Sequence, residues 1–258
     1  MADVHANGVR LHVQRLGSGP PAVLFVHGLV MDNLSSFYFT LANPVAQAAE
    51  ALLFDLRGHG KSERPPSGYA VADFVADLAG LVAALAPAGA LHLVGNSFGG
   101  LLALAFAASH PGRAASLTLI DAHVGLPGWA EQMTATLELQ GEARDRRIAE
   151  DFRHWLGRNS ERKSSRLAET ARALVEQTSL VEDLRRSPPL SSAALRALDL
   201  PVLALYGERS DRRADAEALR ELVPQTRLVL RPGSTHSVLW EATPWVRGEL
   251  LAWLAERR

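Results

Sequence analysis

Residues 91–107, LHLVGNSFGGLLALAFA, constrain the fold more than any other part of the chain. An apolar run meets a knot of small residues, and an apolar pattern of helical period then resumes. Gly95, Ser97 and Gly99 spell G-x-S-x-G at the junction. A strand that turns straight into a helix at such a point holds its serine in a strained backbone conformation, with the hydroxyl lifted above the sheet edge. Bulkier residues at 95 and 99 would collide with so tight a turn. The following helix aims its free N-terminal N–H groups at the same place, where they favour negative charge on an attacked carbonyl. The junction therefore predicts a strand–turn–helix unit with an aimed nucleophile, Ser97, at its corner.

The same alternation runs along the chain. AVLFVHG, ALLFDLRGHG, LHLVGN, SLTLIDAH, PVLALYGE and TRLVLRPG are near-continuous apolar runs bounded by Gly or Pro, the pattern of parallel strands covered on both faces. Helical patterns over 39–49, 71–86, 98–109, 214–223 and 244–256 fall between or after them. Strands alternating with helices predict an α/β fold whose mostly parallel sheet is covered by helices on both faces. Residues 9–14 alternate like a half-buried strand, and LGSGPP turns them toward the next strand, an antiparallel hairpin at the start of the sheet.

From 123 to 198 the rhythm breaks. The text is charged, rich in Ala and Leu and helical in period, as in EARDRRIAEDFRHWLG and RLAETARALVEQT, and it ends in SPPLSS. Ordinary crossovers are much shorter. Residues 123–198 are therefore expected to form a helical cap over the sheet's C-terminal edge, where ligands bind in open α/β folds. Residues 1–122 and 199–258 form the core domain in this reading. The plainer alternative is an elaborated crossover with no role in function.

The chain has 258 residues, room for one large α/β domain. Its net charge of −1 gives no reason to expect nucleic acid or an anionic membrane as partner. With no cysteine, disulfides, thiol nucleophiles and Cys-type zinc sites are excluded together. GERSD is not a phosphate loop, and GNSFGGLL lacks the lysine of a nucleotide-binding loop, so neither cofactor nor metal is expected. MADVHANGVRLHVQR lacks the apolar core of a signal peptide, and no apolar stretch approaches bilayer-spanning length. The expectation is a soluble cytoplasmic protein.

FVHGL after one strand, FDLRGHGKSERP after the next, LVGNSFGG after the third and GSTH near the C-terminus together resemble the α/β-hydrolase fold superfamily. The resemblance covers essentially the whole chain, including the place of the helical cap. It implies a serine nucleophile and leaves the substrate open. GNSFGG is similar to the form in meta-cleavage-product C–C hydrolases, which usually carry a Ser-Gly-Pro type loop after the His-Gly, where this chain has HGLVMDN. The chain looks closer to the esterase, lactonase and thioesterase-like hydrolases found beside polyketide pathways.

A serine hydroxyl is a poor nucleophile until a base takes its proton. His236, in RPGSTH after the last strand, stands where the superfamily puts that base. His27 belongs to the His-Gly turn, where it is read as shaping the loop, and His59 sits in RGHGKS, a turn feature of the superfamily. His5, His12, His92, His110, His123 and His154 have no motif context. The superfamily's acid usually lies three residues beyond the glycine of PVLALYG, which here is Ser210. Asp211 is one residue further, Glu208 directly follows the glycine, and Asp121 in LTLIDAH occupies a second location the superfamily uses. All three remain candidates.

The resemblance implies an oxyanion hole made of the backbone amides of Leu29 and Phe98. Gly28, Val30, Met31, Leu34 and Phe37 after His27, Val238 and Trp240 after the base, and Trp129, Met133 and Trp155 in the cap are expected to line an apolar pocket. Such a pocket suits a medium-sized acyl, aromatic or lactone group. Arg144, Arg146, Arg147, Arg153 and Arg158 form either a solvated helix face or a dock for an acidic carrier domain bearing the substrate. The expected function is a serine hydrolase acting on an ester, lactone or thioester. The alternatives are a C–C bond hydrolase or lyase using the same residues, and a non-catalytic ligand-binding member.

Overall fold

Eight strands form one sheet: β1 (Ala2–Ala6), β2 (Val9–Leu16), β3 (Ala22–Val26), β4 (Glu50–Phe54), β5 (Leu91–Asn96), β6 (Ser116–Ile120), β7 (Val202–Gly207) and β8 (Thr226–Arg231). This computed structural model describes residues 2–87, 89–139 and 161–257. The strand order is β1-β2-β4-β3-β5-β6-β7-β8. β3 to β8 pair in parallel, while β2 runs antiparallel to both β1 and β4.

Every residue of β3, β6 and β7 is buried, which is why those strands read as unbroken apolar runs. Successive side chains serve opposite faces. Leu24 and Val26 enter one apolar cluster while Val23 and Phe25 enter the other, and β4 divides Leu52 and Phe54 from Ala51 and Leu53 in the same way. The first face is covered by α1 (Val71–Leu85) and α2 (Phe98–Ser109), through Phe74, Leu78, Leu101 and Phe106. The second is covered by the helical stretch 35–45 and by the two C-terminal helices, through Phe37, Leu41, Val246 and Trp253. Each buried Leu or Phe stabilises the fold by about 1.5–3 kcal/mol relative to an exposed one.

Two elements differ from expectation. The opening hairpin joins β1 to β2 through Asn7 and Gly8, both left-handed at φ 49° and 75°. This two-residue turn matches the strand twist, and LGSGPP instead carries the chain past β4 into the middle of the sheet. The helix expected over 39–49 begins at Ser35 and ends at Val45. Its middle, Tyr38–Ala42, is a π-turn ahead of Pro44, which has no N–H to donate.

After β3 the chain moves to one side to form β4 and then crosses to the other side to form β5. The order reverses there, and the loops leaving β3 and β5 face each other across the crevice. Between β6 and β7 the regular structure among the described residues is helical: α3 (Trp129–Leu137), α4 (Glu161–Gln177), α5 (Leu180–Arg186) and α6 (Ser192–Arg196). Trp155, His154 and the arginines at 144, 146, 147, 153 and 158 lie outside the described residues. Three helices complete the chain: α7 (Arg213–Leu222), α8 (Val238–Glu241) and α9 (Thr243–Ala255). No described helix is long and apolar enough to cross a membrane.

Candidate active site

Ser97 stands alone between β5 and α2 with φ 53° and ψ −118°, a conformation that costs a non-glycine residue energy. Close packing around it makes the corner sharp. A Cβ on Gly99 would overlap the carbonyl oxygen of Val26, and one on Gly95 would stand 2.5 Å from that of Gly99. Gly99 is needed because the end of β3 lies against it, and Gly95 because the first turn of α2 folds back over it.

Ser97 Oγ lies 3.1 Å from His236 Nε2. His236 is carried by the loop after β8, where the Thr235 amide and hydroxyl donate to Glu241 of α8 at 2.8 and 2.6 Å. Its Nδ1 lies 2.8 Å from Asp121 Oδ1. Asp121 follows β6 at φ 42° and is fully buried. Its Oδ2 accepts the Gly207 N–H (2.8 Å) and its Oδ1 also accepts the Ser210 hydroxyl (2.5 Å). The Ser210 oxygen itself accepts the Arg212 N–H at 3.0 Å, so the hydroxyl proton is left for Asp121. With the carboxylate as acceptor, the imidazole proton sits on Nδ1 and the Nε2 lone pair faces Ser97. The arrangement can carry a proton from Oγ to Nε2.

The structure brings Asp121, rather than Asp211 or Glu208, onto the imidazole. The loop after β7 turns so that residue 210 points inward, and that residue is a serine. Asp211, its side chain 45% exposed, bonds Arg212 at 3.2 Å in the cavity wall. Glu208 is exposed and accepts the Gly233 N–H at 3.0 Å.

The segments of the two expected oxyanion donors meet at Ser97. Phe98 is the first residue of α2, so its N–H precedes the first intrahelical bond. Gly28 lies close enough that a Cβ on it would be 3.6 Å from that of Ser97. Loop 27–33 is held by side chains. Asp32 accepts the Gly28 N–H (2.8 Å), His27 bridges Gly28 O (2.7 Å) and the Leu56 N–H (3.0 Å), and His59 bridges the Val30 N–H and Arg57 O, both at 2.7 Å. Burial, reinforced by neighbouring His27, lowers the His59 pKa to about 3.

A cavity of about 970 Å³ opens over Ser97 and His236. Gly28, Val30, Met31, Met133 and Trp240 line it as expected. Leu34, Phe37, Trp129 and Val238 are buried in the apolar clusters instead. Phe37 packs under the sheet with its ring 5.0 Å from that of Phe25. Each stands near a turn but on the side of it that packs inward. Sequence reasoning missed His123, whose buried ring stands 6.1 Å from that of His236; its place just beyond Asp121 was the available signal. It also missed Gln132 and Arg212, which meet at 2.9 Å in the cavity wall. Beside them burial raises the Asp215 carboxyl above the ordinary range, with Arg212 opposing the shift. Among the described residues no cluster of His, Cys, Asp and Glu could hold a metal.

The sequence matches the alpha/beta hydrolase fold family over residues 21–243. The 2-(acetamidomethylene)succinate hydrolase of Mesorhizobium japonicum is 29% identical over 248 residues, spanning 89% of this chain and 86% of that protein. Among solved structures, the meta-cleavage product hydrolase from Pseudomonas fluorescens IP01 superposes with a TM-score of 0.82 at 19% identity, covering 100% of this chain and 98% of the other. The enol-lactonase from Burkholderia xenovorans LB400 gives 0.76 at 20% identity, covering 98% and 100%. The sharp corner at Ser97 (the elbow), the sheet order and the family match agree: the chain belongs to the alpha/beta hydrolase fold family.

Proposed function

We propose that this chain is a serine hydrolase that cleaves an ester, lactone or thioester of a small-molecule acyl substrate through an acyl-enzyme on Ser97. The observation that carries this reading is the unbroken hydrogen-bonded line from Ser97 Oγ through His236 to Asp121, beneath the cavity. As Oγ attacks the carbonyl carbon, its proton passes to Nε2 of His236. The oxyanion rests on the Leu29 and Phe98 amides, each such donor lowering the barrier by about 3 kcal/mol. Collapse breaks the bond to the leaving oxygen or sulfur, which takes the proton from Nε2. Water then gives a proton to Nε2 and attacks the acyl carbon, and Ser97 departs with that proton. Asp121 keeps the imidazole in the working tautomer throughout.

The helices between β6 and β7 act as a cap over the cavity in this reading. Leu29, Val30 and Met31 on one side and Met133, Val175 and Trp240 on others favour an apolar acyl or aryl group. The test is labelling by a fluorophosphonate probe together with turnover of p-nitrophenyl esters. Both should vanish in Ser97→Ala and His236→Ala, and turnover surviving Ser97→Ala refutes the reading. The GNSFGG form at the elbow supports a second reading, C–C cleavage by the same residues, although HGLVMDN departs from that group's loop. A chromogenic dienone turned over faster than aryl esters would select it.

A further inference from the structure

We propose that His59 is a positioning residue that presets the oxyanion loop, its imidazole holding the strained Val30 peptide so that the Leu29 amide faces Ser97. The proposal rests on the reading of Ser97 and Leu29 given above.

The Met31 N–H donates to the Leu29 carbonyl at 2.9 Å. A bond between residues two apart closes a γ-turn, and Val30 at its centre has φ 66°. This is the rare, strained hand of that turn, and a β-branched side chain makes it worse. The turn faces the Leu29 carbonyl toward Met31 and sends the Val30 N–H the opposite way, because the two belong to one planar trans peptide. That N–H meets His59 Nε2 at 2.7 Å. An accepting Nε2 puts the ring proton on Nδ1, which donates to the Arg57 carbonyl at 2.7 Å. Arg57 is itself anchored by a buried two-pronged bond to Asp77.

One peptide earlier, His27 grips from its other side. Its Nε2 accepts the Leu56 N–H (3.0 Å), so its Nδ1–H donates to the Gly28 carbonyl (2.7 Å). In that peptide the N–H opposite the held carbonyl is Leu29's. Two uncharged imidazoles, with ring centroids 5.2 Å apart, thus clamp consecutive peptides of the loop. Remove the His59 acceptor, and the 29–30 peptide is free to rotate and relieve Val30; Leu29 then keeps only the His27 hold on its 28–29 peptide, and its amide drifts off its target. The Ser97–His236–Asp121 line comes from other strands and is untouched. If His59 only filled the RGHGKS turn, its loss would lower stability and leave the chemistry of folded enzyme unchanged.

The experiment measures kcat and KM on a p-nitrophenyl ester, per folded active site, for His59→Phe, His59→Gln and His59→Phe combined with Val30→Gly. His59→Phe keeps a ring without an acceptor and should lower kcat about 100-fold, the effect of losing one oxyanion donor, with KM changed less than about threefold. His59→Gln, whose Oε1 can accept the Val30 N–H, should stay within about tenfold of the parent. Adding Val30→Gly, which removes the strain, should recover about tenfold over His59→Phe alone. A folded His59→Phe with kcat within threefold of the parent overturns the proposal, as does equal loss in Phe and Gln. Should His59→Phe not fold, His59→Asn, too short to reach the amide, is read the same way. In the parent, the Val30 amide should stay protected from exchange down to about pH 4, below the ordinary histidine range and above the lowered His59 pKa; loss of protection already at pH 6 also overturns the clamp. Ser97→Ala separates the two claims. Activity surviving it defeats the catalytic reading, whereas activity lost there but indifferent to His59→Phe defeats the clamp alone.

Discussion

Replacing Asp121 by asparagine should cost turnover through the imidazole's tautomer, and the hydrogen bonds around the carboxylate show why. Asparagine offers one accepting oxygen and one donating NH₂ where Asp121 has two acceptors. With the NH₂ at the Oδ2 position it would face the Gly207 N–H, a backbone donor that cannot turn away. Two buried donors would then confront each other, at a cost of about 1–3 kcal/mol. With the NH₂ at the Oδ1 position it faces the Ser210 hydroxyl, which can rotate, and His236, which can move its proton from Nδ1 to Nε2. The second placement is cheaper, and it puts an N–H where Ser97 needs a lone pair. The expected loss in kcat is about 10⁴-fold, the size produced by a wrong tautomer in serine proteases, or about 5.4 kcal/mol of barrier. Fold stability should change far less. The assay is kcat for a p-nitrophenyl ester, with Asp211→Asn measured beside it; Asp211 bonds Arg212 in the cavity wall, so its loss should act mainly on KM and leave kcat within about tenfold of the parent. An Asp121→Asn enzyme retaining a tenth of the parent's kcat, or an Asp211→Asn enzyme equally damaged, refutes the reasoning.

Ser210→Ala removes one donor from Asp121 and should lower kcat about tenfold, with Ser210→Thr restoring most of it; no change in a kcat comparison counts against the arrangement. Asp77→Ala strands the buried Arg57 guanidinium and should destabilise the fold by about 3–5 kcal/mol in urea titrations, against much less for replacing both partners by apolar residues. Burial holds the His59 pKa near 3 and lowers that of His92, so below the ordinary value of 6.5 the unfolded chain binds protons that the folded one does not. Stability should fall toward pH 5 by up to about 1.4 kcal/mol per pH unit for His59, with a further loss in the same direction from His92. Unfolding curves at pH 5, 6 and 7 that coincide would contradict this buried, neutral state.

The parallel strands were legible because burial on both faces removes polar residues from them, and Ser97 and His236 because each stands at the end of such a strand. The acid was not. Whether residue 210 or 211 points inward depends on how the loop after β7 turns, and adjacent residues differ by half a turn of direction that composition does not record. Phe37, Trp129 and Val238 failed as pocket residues for the same reason: nearness to a turn does not say which side of it is packed. The β1–β2 hairpin did carry its signal, Asn7-Gly8, inside a stretch that reads as merely polar and alternating. His27 was legible as a loop-shaping residue and His59 only as part of a turn, and the amides they hold belong to partners 29 positions away in each case.

Ser210 stands where the superfamily resemblance leads one to expect a carboxylate, within one hydrogen bond of Asp121. An aspartate at 210 would set two carboxyl groups within one hydrogen bond of each other. Two carboxyl groups so close cannot both be ionised, and a proton shared between them would leave one full charge for the imidazole. A serine there gives Asp121 its hydrogen bond without a second charge to settle.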